Sequence, residues 1–237
     1  MPETQKRNSM TSLLRIMLVL HIISGFLSLA CGLVSMLNKK GARQHRLTGK
    51  IFFYGMTGVF VTATFIAIVK NIPFLLMVGF FSYYLACSGY RVLYLKKLHL
   101  QQQPVALDWV INITGIAAGL ALVAFSYIWF TQRGSWGAVP LTFGVFCLIS
   151  GYKDTRRFYR RPADKQHWFF THGGRMGGAF AATVTAFIVV NLQIGSLTWM
   201  LWILPGILIG TWTGIILAGY RKKFQGKKSA ATATAGL

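Results

Sequence analysis

Seven apolar stretches set the limits on what this chain can become. A helix needs roughly 20 predominantly apolar residues to cross the hydrocarbon core of a bilayer. Runs of that kind fall near 13–37, 51–69, 72–95, 106–130, 135–151, 170–192 and 198–219, the fifth being the shortest and containing Pro140. Within hydrocarbon every backbone N–H and C=O must be bonded inside the chain, which leaves helices as the form open to such runs. The predicted fold is therefore all-α, a polytopic transmembrane helix bundle of about seven spans over residues 12–222. The polar residues 1–11 and the basic, Ala/Thr-rich residues 223–237 read as disordered ends.

The composition agrees. Charged residues make up 12% of the 237 and hydrophobic ones 54%, whereas a soluble domain carries about a quarter charged residues. Among the charges, 25 Lys and Arg stand against 4 Asp and Glu, a net +21 that in a soluble chain would suggest nucleic acid. Position along the chain argues otherwise. With the N-terminus outside, 20 of the basic residues fall on the cytoplasmic side and only Lys6, Arg7, Arg15, Lys70 and Arg133 outside. The positive-inside rule then gives N-out and C-in, and the excess charge faces anionic lipid head groups, with no nucleic-acid partner.

"LSLAC" at 27–31 imitates a lipoprotein-type cleavage site, but Ser28 and Leu29 fit it poorly and "GLVSML" carries the apolar run onward, so the first span reads as uncleaved. Cys31, Cys87 and Cys147 all fall within spans and form no CxxC pair, so neither a disulfide framework nor a zinc site is indicated. "GYRVLYLKK" (89–97), "GYKDTRRFYRR" (151–161) and "GYRKKFQGKK" (219–228) close the third, fifth and seventh spans alike. Interfacial Tyr followed by snorkelling Lys and Arg accounts for the likeness, and duplicated hairpins are the alternative.

Polar residues inside spans are the functional candidates. His172 and Arg175, three apart, share a face of the sixth helix. Arg175 lies roughly 7–10 Å beyond the Trp168–Phe170 interface at 1.5 Å per residue. There an unpaired charge costs ~2.5–3.5 kcal/mol on insertion scales. Asp154 and Asp164 read as members of the basic 152–169 loop, leaving Asp108 as the acid at the edge of a span and the expected partner of Arg175. On the fourth helix Asp108, Asn112, Gly115, Gly119 and Ser126 form a small and polar stripe, interrupted by Leu122. On the sixth, Gly174, Gly178, Ala181 and Thr185 form another. Such stripes admit either a neighbouring helix or a flat ligand close to the backbone.

His45 and Arg46 precede the second span on the side of His172, Arg91 closes the third, and His21 is an intramembrane polar residue of the first. His99 and His167 read as solvated loop residues. Two imidazoles at one depth could hold haem b, and His45 with His172 is the pair to consider, although His45 lies outside the apolar part of its span. Soluble-enzyme motifs are absent: no GxSxG, no HExxH and no phosphate loop, so no catalytic residue is assigned. "NIT" at 112–114 lies within a span and is a chance glycosylation match.

"HIISGFLSLACGLVSM" (21–36) with "HRLTGKIFFYG" (45–55) resembles the opening of a widespread family of bacterial membrane proteins classed as a domain of unknown function. "HGGRMGGAFAATVTAFIVVN" (172–191) is similar to a segment of its relatives in the Bacteroidetes group. The resemblance covers spans one, two and six, about a third of the chain. It implies a multi-pass protein of the bacterial inner membrane, with His21, His45, Arg46, His172 and Arg175 as its recognisable polar positions and no known activity.

Three functions follow as expectations. The first is binding or transport of a small amphipathic or anionic molecule at a cytoplasm-facing site between helices two, three, four and six, using His172, Arg175, Asp108, Asn112, His45, Arg46 and Arg91. The second is membrane electron transfer with haem b or quinone, and the third is a structural subunit without ligand.

Overall fold

The computed structural model describes residues 2–234, with side chains described over 9–226. Among the described residues there are seven α-helices and no strand. They are α1 (Pro2–Leu37), α2 (Arg43–Val69), α3 (Pro73–Arg91), α4 (Ala106–Arg133), α5 (Ala138–Tyr159), α6 (His167–Asn191) and α7 (Leu204–Thr234). Six segments are long and apolar enough to cross a membrane, as in a multi-pass protein: Ser9–Leu37, Arg43–Val69, Pro73–Tyr94, Ala106–Tyr159, His167–Asn191 and Gly195–Gly226. The fourth of these contains both α4 and α5.

Local chemistry sets the breaks. Gly134, at φ 56° and ψ −123°, occupies a conformation open essentially to glycine alone, and α4 stops there. Pro73 opens α3 at its first position, where a missing N–H costs nothing. Pro140 is the third residue of α5, still within the turn whose N–H groups have no intrahelical acceptor, so it does not interrupt that helix. Pro205 has the same role in α7. The span expected from 198 opens with a 3-10 segment over Gly195–Trp202, and its α-helix begins at Leu204, just before the proline that could not have bonded back into it.

α4 and α5 fold back on one another. Asn112 bonds Thr155, Gly151 lies against Ile116, Gly119 against Leu148 and Gly144 against Val123, a ladder of contacts running in opposite directions along the two helices. The stripe foreseen on α4, Asp108, Asn112, Gly115, Gly119, Leu122 and Ser126, is buried throughout; Asn112 and Gly119 meet α5, while Asp108 and Gly115 meet Arg91 and Tyr84 of α3. At the centre of the bundle stands α3, which packs on α2, α4, α5 and α6. Its buried face of Phe74, Phe81, Tyr84, Leu85 and Gly89 carries much of the core. Phe81 stacks on Phe143 of α5 at 5.2 Å, and Phe74 meets Trp129 of α4 at 4.5 Å. α1 packs on α2 and α6, and α7 on α6. Their outward rows, such as Ile16, Ile23 and Phe26 on α1 or Leu208 and Ile215 on α7, are exposed to what would be lipid.

At the two ends the backbone of residues 2–11 and 223–234 continues α1 and α7 as helix, where coil was expected from the sequence. Met1 and 235–237 lie outside the described residues.

Candidate ligand site

α5 runs eight residues beyond the apolar stretch that ends at 151, and this extension builds the site. Cys147, Ser150, Gly151 and Asp154 recur at helical spacing and are all buried. Asp154 is 2% exposed. Its Oδ2 accepts a hydrogen bond from the Tyr84 hydroxyl of α3 at 2.7 Å. Its Oδ1 accepts from Arg175 Nη2 of α6 at 2.9 Å and from Arg157, one turn further along α5. Arg175 Nη2 also donates to the Ser150 carbonyl at 2.6 Å, and its guanidinium lies 5.3 Å from the Tyr84 ring centre. Arg157 reaches back to Thr171 of α6 at 2.7 Å. One carboxylate thus fastens three helices and is shared by two guanidinium groups, leaving one positive charge in excess.

The partner foreseen for Arg175 is therefore corrected. Asp108 has a different cation: it accepts from Arg91 Nε at 2.8 Å and from the Val105 N–H at 2.8 Å, closing the first turn of α4 and tying it to α3. Arg175 is instead held on α5, by Asp154 and the Ser150 carbonyl. Asp154 is not a loop residue, because the helix carries it inward on the face of Ser150.

α6 presents two glycine faces. Gly173 and Gly177 abut α7: a Cβ at Gly173 would stand 2.7 Å from Leu217, and one at Gly177 2.6 Å from Thr213. Gly174 has nothing within 4 Å of where its Cβ would be. With Gly178, Ala181 and Thr185 it lines a cleft of about 1040 Å³ between α5, α6 and α7. Phe81, Phe143, Phe146, Ile203 and Ile207 supply apolar wall, and Lys153, Arg156, Arg157, Arg160 and Arg161 gather at one end. From Thr142 to Arg157 the cleft follows α5 for about 20 Å at 1.5 Å per residue. Buried in its wall, the Thr213 hydroxyl and Arg157 Nε find no hydrogen-bond partner among the described residues.

Of the residues expected to bind a ligand, only Arg175 belongs to the cleft, together with the foreseen α6 stripe of Gly174, Gly178, Ala181 and Thr185. Asn112 donates to Thr155 at 2.7 Å and holds α4 to α5. Arg91 is committed to Asp108 and packs over Tyr94 at 5.2 Å. Arg46 is exposed and donates to the Gly41 carbonyl at 2.7 Å. His21 donates through Nδ1 to the Thr62 hydroxyl oxygen at 3.1 Å, a bond between α1 and α2, since that hydroxyl itself donates to the Gly58 carbonyl. The arrangement around helices two, three, four and six is thus two separate clusters: Arg91 with Asp108, and His45 with His172, whose rings lie 6.3 Å apart.

Other features went unread. The extension of α5 brings Asp154, Arg157 and the Lys153–Arg161 rim to the site, and a stripe of Cys147, Ser150 and Asp154 was the available sign. His167, expected in a solvated loop, is the buried first residue of α6, with the His99 ring 6.1 Å away. In the turn between α1 and α2, Lys40 caps the Ser35 and Met36 carbonyls at 3.2 and 2.7 Å. Burial pushes its ammonium below the usual lysine range.

No protein-family model, curated protein or solved structure matches this chain.

Proposed function

We propose that this chain is a seven-span protein of the bacterial inner membrane, N-out and C-in, that binds an anionic amphipathic molecule in the cleft between α5, α6 and α7. The observation that carries the reading is the pairing, in one cleft, of a long apolar wall with a cluster of basic side chains at one end. Lys153, Arg156, Arg160 and Arg161 are exposed there, so their charge is available to an incoming head group. Asp154, the nearest acid, is consumed by Arg157 and Arg175. The basic end coincides with the side that the Lys/Arg partition makes cytoplasmic. A cleft about 20 Å long at the helix rise suits an alkyl or prenyl chain better than a compact solute. Its volume lies near the upper end of ligand pockets.

The test is mass spectrometry of what the protein retains through mild detergent extraction, compared with the bulk lipid of the same membranes. The expected result is one enriched anionic amphipath in wild-type protein, lost on charge reversal of Arg160 and Arg161 to Glu. A retained mixture that simply mirrors bulk lipid, unaffected by that reversal, would show that ordinary annular lipid fills the cleft and would remove the reading.

A further inference from the structure

α1, α2, α3 and α6 pack in a ring, α1 on α2, α2 on α3, α3 on α6 and α6 on α1, which sets α2 and α6 on opposite sides. At one end of this ring His45, the third residue of α2, meets His172, the sixth of α6. Their ring centres are 6.3 Å apart and the planes stand at 84°. Lower in the same space Phe52 and Phe180 face one another with ring centres 6.4 Å apart, so the imidazoles occupy the polar mouth of an otherwise apolar interior.

Each ring is oriented from behind by a backbone carbonyl. His172 Nδ1 lies 2.8 Å from the Gly89 carbonyl of α3, and His45 Nδ1 lies 3.0 Å from the Ser35 carbonyl of α1. A carbonyl oxygen can only accept, so both Nδ1 atoms carry the proton and both Nε2 atoms keep a lone pair when the rings are neutral. Neither Nε2 shows a hydrogen bond among the described residues. Fixing the tautomer through Nδ1–H to a carbonyl is how proteins prepare histidines as metal ligands. The spacing fits as well: two imidazoles on opposite sides of a metal, each bound at ~2.0–2.1 Å, put their ring centres roughly 6 Å apart.

We propose that His45 and His172 hold a transition-metal ion between their Nε2 atoms, one imidazole on each side. Among the described residues no third His, Cys, Asp or Glu joins them, so a four-ligand protein site of the zinc type is excluded. The remaining positions on the ion are open to water or to ligands brought from outside the protein, a macrocycle as in haem iron among them. Lys40 and Lys96 are the charged groups that bear on His172 besides His45 itself. Their positive charge opposes a bare dication and favours an ion that brings anionic ligands with it.

The experiment is an absorption spectrum, oxidised and reduced, with elemental analysis of the detergent-purified full chain. The expected result is a stoichiometric metal, with a Soret band if it is haem iron and without one if it is a bare ion. Either form should fall to background in His45→Ala and in His172→Ala and persist in His21→Ala. Where an alanine variant does not fold, His172→Met keeps a ligand on that side and should shift the band rather than remove it. Absence of stoichiometric metal from the wild type, or metal kept in both alanine variants, overturns the proposal. Gly174→Leu, which fills the separate cleft, should leave the metal content unchanged.

Discussion

Asp154 accepts from Tyr84, Arg157 and Arg175 while 2% exposed, so each of those bonds is made in a low-dielectric setting where a bare charge is costly. Replacing Arg175 by Leu removes one of two cations from a shared carboxylate and leaves the Ser150 carbonyl without its guanidinium donor. The expected loss of stability is about 3–5 kcal/mol, as for breaking a buried pair. Arg175→Leu combined with Asp154→Asn should cost much less than the two single changes summed, whereas Arg175→Leu with Asp108→Asn should be additive. Thermal unfolding in detergent across these two double-mutant cycles decides it; coupling to Asp108 and additivity with Asp154 would contradict the arrangement. An arginine within the sixth span was readable because an intramembrane charge stands out in an apolar run. Its partner was not, because Asp154 sits among Lys153, Arg156 and Arg157 in a string that reads as solvated. Only the helical recurrence from Cys147 through Ser150 marks it as an inward-facing residue.

Hydropathy located the apolar middle of every helix but not the polar ends, since α2 begins at Arg43 where the apolar run starts at 51 and α5 continues to Tyr159 where it stops at 151; the small-residue stripe did name the buried face of α4. Which helix meets which was another matter. Packing of α3 on α6 and of α2 opposite α6 joins segments far apart in the chain, and no local spacing encodes it. The motif "HGGRMGG" shows the consequence, since adjacent glycines in it serve different neighbours. Gly177→Leu would drive a side chain into Thr213 and should weaken the α6–α7 contact by about 1–3 kcal/mol, the usual cost of overpacking. Gly174→Leu meets nothing, so the fold should remain while the cleft is partly filled. Helicity and monodispersity after extraction should therefore fall for Gly177→Leu and hold for Gly174→Leu, with retained amphipath lost in the latter. Equal damage from both would mean that the cleft is closed by packing in the membrane.

The bundle as a whole has two chemically distinct ends, and the internal contacts define them without reference to charge counting. Arg91 at the end of α3 meets Asp108 at the start of α4, Asp154 near the end of α5 meets Arg175 near the start of α6, and Lys96 lies 4.6 Å over Trp168. Those junctions share one end; the turns at Asn71 and Gly134 and the Gly195–Trp202 segment form the other. In the orientation proposed from the Lys/Arg partition, the first end is the cytoplasmic one. In a cysteine-free background, single cysteines at Gln44, Gln102 and Lys165 should be shielded from impermeant thiol reagents in intact cells, and one at Ser196 should react. Ser135 is the informative position for the α4–α5 hairpin. Gln102 and Lys165 flank it on the same side whether it crosses the membrane twice or dips in and returns, so neither of them distinguishes the two. A hairpin that crosses twice delivers Ser135 to the outer surface, where a cysteine is labelled. α4 and α5 have 28 and 22 residues, which at 1.5 Å per residue exceeds the ~30 Å core. Labelling at Ser135 together with Ser196 is therefore the expected outcome, and a shielded Ser135 beside a labelled Ser196 would make the hairpin re-entrant and the number of crossings five.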